Sequence, residues 1–124
     1  IEKDVFIEPV EKDRVEVLSN IYFNSGAYQL DDRSKVELQK LLHFLEQNKS
    51  LRIQISGHTD DVGTETDNLA LSGKRAEAVA KYLLENGVDK NRIEWKGYGE
   101  SVPKVPNTTE MNRKINRRIE WRIL

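Results

Sequence analysis

Apolar and polar positions change period several times along the chain, and the changes predict its elements. Residues 1–14 mix charged and apolar residues without a period and are interrupted by Pro9, which predicts a linker or entry strand. Between Arg14 and Phe23, Val15, Val17, Ile21 and Phe23 share one parity, as on a half-buried strand, and Asn24-Ser25-Gly26 reads as a turn. Asp31, Asp32 and Ser34 are capping candidates ahead of Val36, Leu38, Leu41, Leu42 and Leu45, whose spacing predicts an amphipathic helix over 33–48. Leu51, Ile53 and Ile55 alternate with Arg52, Gln54 and Ser56 in a second strand that stops at Gly57, and a polar loop runs from His58 to Thr66. A second helix carries Leu69, Ala76, Val79, Ala80 and Leu83 and ends at Gly87. Ile93, Trp95 and Gly97 mark a third strand over 92–98. Residues 99–114, with Pro103 and Pro106, form a long loop with one helical turn near Thr108–Asn112. Ile115, Ile119, Trp121 and Ile123 predict a last strand. The order β-α-β-α-β-β corresponds to an α+β fold: a mixed four-stranded sheet with two main helices packed on one face.

Composition narrows the function. The 124 residues suit one domain, and 20 Lys+Arg against 21 Asp+Glu leave a net charge of −1. That balance excludes a general binder of nucleic acid or anionic membranes, which needs a basic excess. No run of apolar residues is long enough to span a membrane as a helix. Cysteine is absent, which removes disulfides, thiolate metal sites and cysteine nucleophiles together. The chain begins at Ile1 without an apolar signal segment, so it is expected to be a piece of a longer, membrane-anchored protein whose anchor lies outside it.

Candidate chemistry lies where polar residues occupy positions that should be apolar. On the second helix Asn68 and Arg75 are seven apart and point within about 20° of one another, with Ser72 between them. An arginine at the edge of an apolar stripe needs an anionic partner. Arg117 shares the inward parity of the last strand, whereas Arg118, Glu120 and Arg122 point the other way, toward solvent. Asp60 or Asp61, at the end of the second strand, supplies the opposing charge. A cleft holding a carboxylate, two guanidinium groups and an amide suits a zwitterion: the carboxylate takes an ammonium, and a guanidinium takes a carboxylate in a bidentate pair. Donors at the second helix's N-terminus add to the anionic end. A purely structural reading stays open, in which Asp60 and Arg75 pair only to hold loop to helix.

Other signals are weaker. His58, Asp60, Asp61 and Asp67 have no recognised metal-ligand spacing, and His58 reads as bracing its loop. His43 reads as a partly exposed helix residue. No nucleophile motif is present, and the adjacent Asp60 and Asp61 cannot flank a glycosidic bond from both sides. The basic run Arg113, Lys114, Arg117, Arg118 and Arg122 reads as a solvated strand edge, and Trp95 and Trp121 as core.

Gly57-His58-Thr59-Asp60 with Gly63, then Asn68, Leu71-Ser72 and Arg75-Ala76, resembles the OmpA-like C-terminal domain shared with Pal lipoproteins and the stator protein MotB. Gly97-Tyr98-Gly99-Glu100, Pro103, Asn107-Thr108-Thr109-Glu110, Arg113 and Asn116-Arg117-Arg118-Ile119-Glu120 continue the pattern in order. Phe23 and its turn match the first strand, so the resemblance covers residues 15–124. It implies a non-catalytic domain without metal or cofactor, on the periplasmic face of the outer membrane, that binds peptidoglycan through the diaminopimelate of its stem peptide. By the same resemblance Asp60 holds the ammonium and Arg75 the carboxylate of diaminopimelate. Asn68 and Arg117 match further binding positions, and Phe23 with the turn at Gly26 lines the pocket. Asn112 departs from the pattern, standing where glycine is common.

Overall fold

The structure, a computed structural model, describes residues 13–18, 21, 23 and 26–124. In chain order its elements are β1 (Val15–Val17), α1 (Asp32–Gln47), β2 (Ile53–His58), α2 (Glu65–Glu85), a 3₁₀ turn (Lys90–Arg92), β3 (Ile93–Gly99), α3 (Glu110–Asn116) and β4 (Arg118–Ile123). The strands lie in the order β1-β4-β2-β3. β2 and β3 are parallel, and β4 runs antiparallel to both β1 and β2. This is the expected α+β architecture. Residues 1–12 of the expected entry segment, and Asn24 and Ser25 of the expected turn, lie outside the described residues.

Both long helices begin where a side chain caps them. Asp31 accepts from the Ser34 amide at 3.0 Å to start α1, and Thr64 accepts from the Asp67 amide at 3.0 Å to start α2. α1 buries Ser34, Leu38, Leu41 and Leu45, and α2 buries Asn68, Ser72, Ala76, Val79, Ala80 and Leu83. These faces close over Ile53, Ile55, Ile93, Ile119, Trp121 and Ile123 of the sheet. Each large aliphatic side chain withdrawn from water there contributes about 1.5–3 kcal/mol.

Several positions differ from the periodicity. Val15 and Val17 are exposed, because their register partners Arg122 and Glu120 lie on the face away from the helices. The alternation marks a strand correctly, but it is Glu16 that pairs with Trp121 on the helix side. Val36 and Leu69 are also exposed. Leu69 sits about 100° round α2 from Asn68, which faces the sheet. Trp95 has the helix-side register of Ile55 but lies on an outer strand, and 42% of it stays exposed. Ile115 and Arg117 do not belong to the last strand. Thr109 caps α3 by accepting from the Asn112 amide at 3.0 Å, and this helix consumes 110–116 before β4 starts at Arg118. Asn112 lies within that helix, so no left-handed turn is needed there. Arg118 and Glu120 face away from the helices, yet their side chains are only 6% and 16% exposed because they pair with each other at 2.7 Å.

The contact that positions the site is the approach of α2 to the sheet. Gly57 and Gly97 are partners across β2 and β3. A Cβ on Gly57 would lie 2.2 Å from the Ser72 carbonyl oxygen, and one on Gly97 would lie 2.2 Å from the Gly73 nitrogen. The paired glycines therefore let the helix backbone rest directly on the strands. Ser72 locks the contact, its hydroxyl accepting from the Gly99 amide at 2.9 Å and donating to the Leu69 carbonyl at 2.9 Å.

Candidate functional site

β2 ends in a loop that its own side chains organise. One carboxylate oxygen of Asp60 accepts from the Val62 amide at 2.9 Å, closing a tight turn. The amide nitrogen of Asn68, one turn into α2, donates to the Asp60 and Val62 carbonyls at 3.3 and 3.0 Å and to the Glu100 carboxylate at 3.2 Å. Asn68 thus ties the β2–α2 loop to the loop after β3. Asp61 is exposed, whereas Asp60 is 6% exposed.

The other carboxylate oxygen of Asp60 accepts from Nη1 of Arg117, while Nη2 of Arg117 donates to Glu110 at 2.7 Å. The planar guanidinium bridges two carboxylates with two of its donors. Arg117 is delivered by the C-terminal cap of α3, not by strand parity. Its hydrogen bonds to Glu110 and then to Asp60 raise its pKa above the ordinary arginine value, and the first of these bonds holds the Glu110 carboxyl below its own. Glu110 escaped the strand-based reading, although Glu110, Arg113 and Arg117 have the i, i+3, i+7 spacing of one helix face.

Arg75 lies farther along α2. Its Nε donates to the Ala27 carbonyl at 2.8 Å, and its guanidinium carbon stands 4.7 Å from the centre of the Phe23 ring. Gly26, at φ +68°, is in the left-handed region and turns the chain just before that carbonyl. Burial, and then the charge of Arg117, lower the pKa of Arg75, which remains a cation.

Arg75 and Arg117 border a cleft of about 560 Å³ lined by the apolar Leu18, Ile21, Phe23, Ile115 and Ile119 and by the basic Arg75, Lys104, Lys114, Arg117 and Arg118. Val17 and His58 complete the described lining. Of the six expected site residues, Phe23, Arg75 and Arg117 line it. Asp60 sits behind Arg117, Asn68 braces the loop, and Gly26 shapes the turn. Asn116, wholly buried, holds the cleft's far wall: it accepts from the Lys104 and Val105 amides at 2.8 and 3.1 Å and donates to the Val105 carbonyl and Asn107 side chain at 2.8 Å each. His58 is a buried strand residue, not a loop brace. It stacks on Tyr98 with ring centres 5.3 Å apart and meets the Ser56 hydroxyl at 3.0 Å. Among the described residues, no group of three carboxylate or imidazole side chains is placed to hold a metal ion.

A sequence model of the OmpA family matches residues 22–117. The chain belongs to the OmpA family. Among the family's proteins, outer membrane porin F of Pseudomonas aeruginosa is 37% identical over 113 residues, covering 90% of this chain and 32% of the porin. The peptidoglycan-associated lipoprotein of Buchnera aphidicola is 34% identical over 116 residues, covering 94% of this chain and 66% of the lipoprotein. The chain therefore spans about a third of one relative and just under two thirds of the other. The crystal structure of the peptidoglycan-associated lipoprotein from Burkholderia pseudomallei matches with a TM-score of 0.76 at 33% identity, over 84% of this chain and 88% of that one. OmpA-family domains of this kind are binding domains rather than enzymes, and this one belongs to the periplasmic side of the cell envelope.

Proposed function

We propose that this domain binds peptidoglycan through the diaminopimelate of its stem peptide and so tethers the protein that carries it to the cell wall. The observation that carries the reading is that Arg75, from α2, and Arg117, from the α3 cap, line one cleft, with Asp60 of the β2 loop paired directly behind Arg117. Arg75 offers its guanidinium to a ligand carboxylate, against the ring of Phe23. Asp60 serves the ammonium: each of its oxygens accepts one hydrogen bond, from Val62 and from Arg117, and has a second lone-pair site for an incoming donor. Asn68 and the Gly26 turn hold these groups in place. The names of the two lipoprotein relatives, both peptidoglycan-associated, agree with this function.

Co-sedimentation with purified sacculi tests it. Wild-type protein is expected to sediment with diaminopimelate-type sacculi and about tenfold less with lysine-type sacculi, whose side chain lacks the carboxylate that Arg75 would pair. Arg75→Gln and Asp60→Asn are expected to lose retention on the first kind. The Arg117 bridge between Asp60 and Glu110 favours a second reading, in which these charges only brace the fold. Under it wild-type protein sediments with neither kind, and the substitutions lower stability alone.

A further inference from the structure

The cleft is larger and more basic than a grip on one zwitterion requires. Its volume of about 560 Å³ lies in the range, roughly 300–1,000 Å³, of clefts that enclose drug-sized ligands, which diaminopimelate falls short of. No carboxylate lies among its described lining residues, against five cationic side chains. Two of the five are already neutralised, Arg117 by Asp60 and Glu110 and Arg118 by Glu120. Lys104 and Lys114 are different. Both are exposed, and no described carboxylate pairs with either. They come from separate elements, the loop after β3 and helix α3. Asn116 holds the Lys104 backbone by accepting from its amide, two residues from Lys114 in the same helix. Two exposed lysines lining the same cleft concentrate positive charge where a second anion meets it.

We propose that Lys104 and Lys114 form a second anion subsite, which takes a carboxylate of the stem peptide beyond the zwitterionic residue held at Asp60 and Arg75. The inference rests on the peptidoglycan reading of the site. It assigns the cleft to an acidic peptide of more than one residue, packed against apolar lining residues such as Ile115 and Phe23, with its further carboxylate at the lysines. Lysine suits this role as a mobile point charge that follows a flexible peptide, in contrast with the fixed forks of Arg75 and Arg117.

The test is an NMR titration of the 124-residue chain with three probes: free diaminopimelate, a stem peptide with free carboxylates, and the same peptide with every carboxylate outside the diaminopimelate residue amidated. Wild-type protein is expected to bind the acidic peptide about tenfold more tightly than the amidated one. Lys104→Gln/Lys114→Gln is expected to lose that preference while binding free diaminopimelate as wild type does. A double variant that keeps the preference, or that loses free diaminopimelate equally, overturns the subsite and leaves the function standing. Wild-type protein that binds none of the probes overturns both.

Discussion

Protonating His58 places a charge where little water reaches it. The side chain is 3% exposed, Nδ1 has no hydrogen-bond partner, and Arg118 lies close by. Desolvation first, and the Arg118 charge second, push its pKa down to about 4, against an opposing pull from Glu120. The unfolded chain takes up this proton near pH 6.5 and the folded chain only near 4, so unfolding binds a proton between those values and stability rises with pH across that window. The cost is absent above about pH 7 and reaches about 3 kcal/mol below pH 4. Glu110, held down by Arg117, begins to matter only below its ordinary 4.5. Urea midpoints of wild-type protein are therefore expected to fall between pH 6.5 and 4.5, and those of His58→Gln to stay nearly flat there. An equal slope in both would remove His58 from this account. At this scale spacing pointed to Asn68, Arg75 and Arg117, since polar groups beside an apolar stripe are visible in the linear chain; it left Asp60 and Asp61 as alternatives, and the family resemblance chose Asp60. Spacing missed what a side chain meets across the fold. His58 stacks on a tyrosine forty residues away, and Asp60 is taken by Arg117 rather than Arg75.

Where α2 rests on the sheet decides where Arg75 stands. A methyl on Gly57 meets backbone of that helix, which cannot rotate aside as a side chain would. Gly57→Ala is therefore expected to cost about 1–3 kcal/mol by overpacking. It also shifts the helix, so retention on sacculi should fall with it. Gly73 sits in the same helix at the same contact, yet a methyl there meets nothing within 4 Å. Gly73→Ala is expected to stabilise by about 0.5–1 kcal/mol, through the lower backbone entropy of the unfolded chain, with binding unchanged. Denaturant unfolding of the two variants separates them by sign. The long elements were legible because caps and periodicity are local: Asp31 and the leucine spacing place α1 within one residue of its observed ends. Helix α3 was legible only as a single turn. Its proline-bounded approach looks like loop, and its stability comes from the Thr109 cap and the Asn116 hydrogen bonds.

Across the whole molecule acidic and basic residues nearly cancel, at a net charge of −1, yet the cleft collects five cations. Binding of an anionic wall peptide is therefore expected to be salt-sensitive although the protein as a whole is slightly acidic. Raising ionic strength from about 0.1 M to about 1 M shortens the screening length from about 10 Å to about 3 Å. Retention on sacculi should drop over that range while the unfolding midpoint moves little, as sedimentation and thermal melts at matched salt would show. Attachment through many weak contacts on one polymer keeps such a domain in place at physiological salt.

The order of the four strands and two long helices, the Asp31 cap and the candidacy of Arg75 and Arg117 were legible in the linear chain, because periodicity, capping and misplaced charge act over a few neighbouring residues. Strand facing, the pairing of Arg117 with Asp60 and Glu110, the exposure of Trp95 and the opening of a basic cleft were decided only in three dimensions. Each depends on which strand lies at the sheet edge and how closely a helix backbone can approach two glycines, and no local pattern encodes such distances.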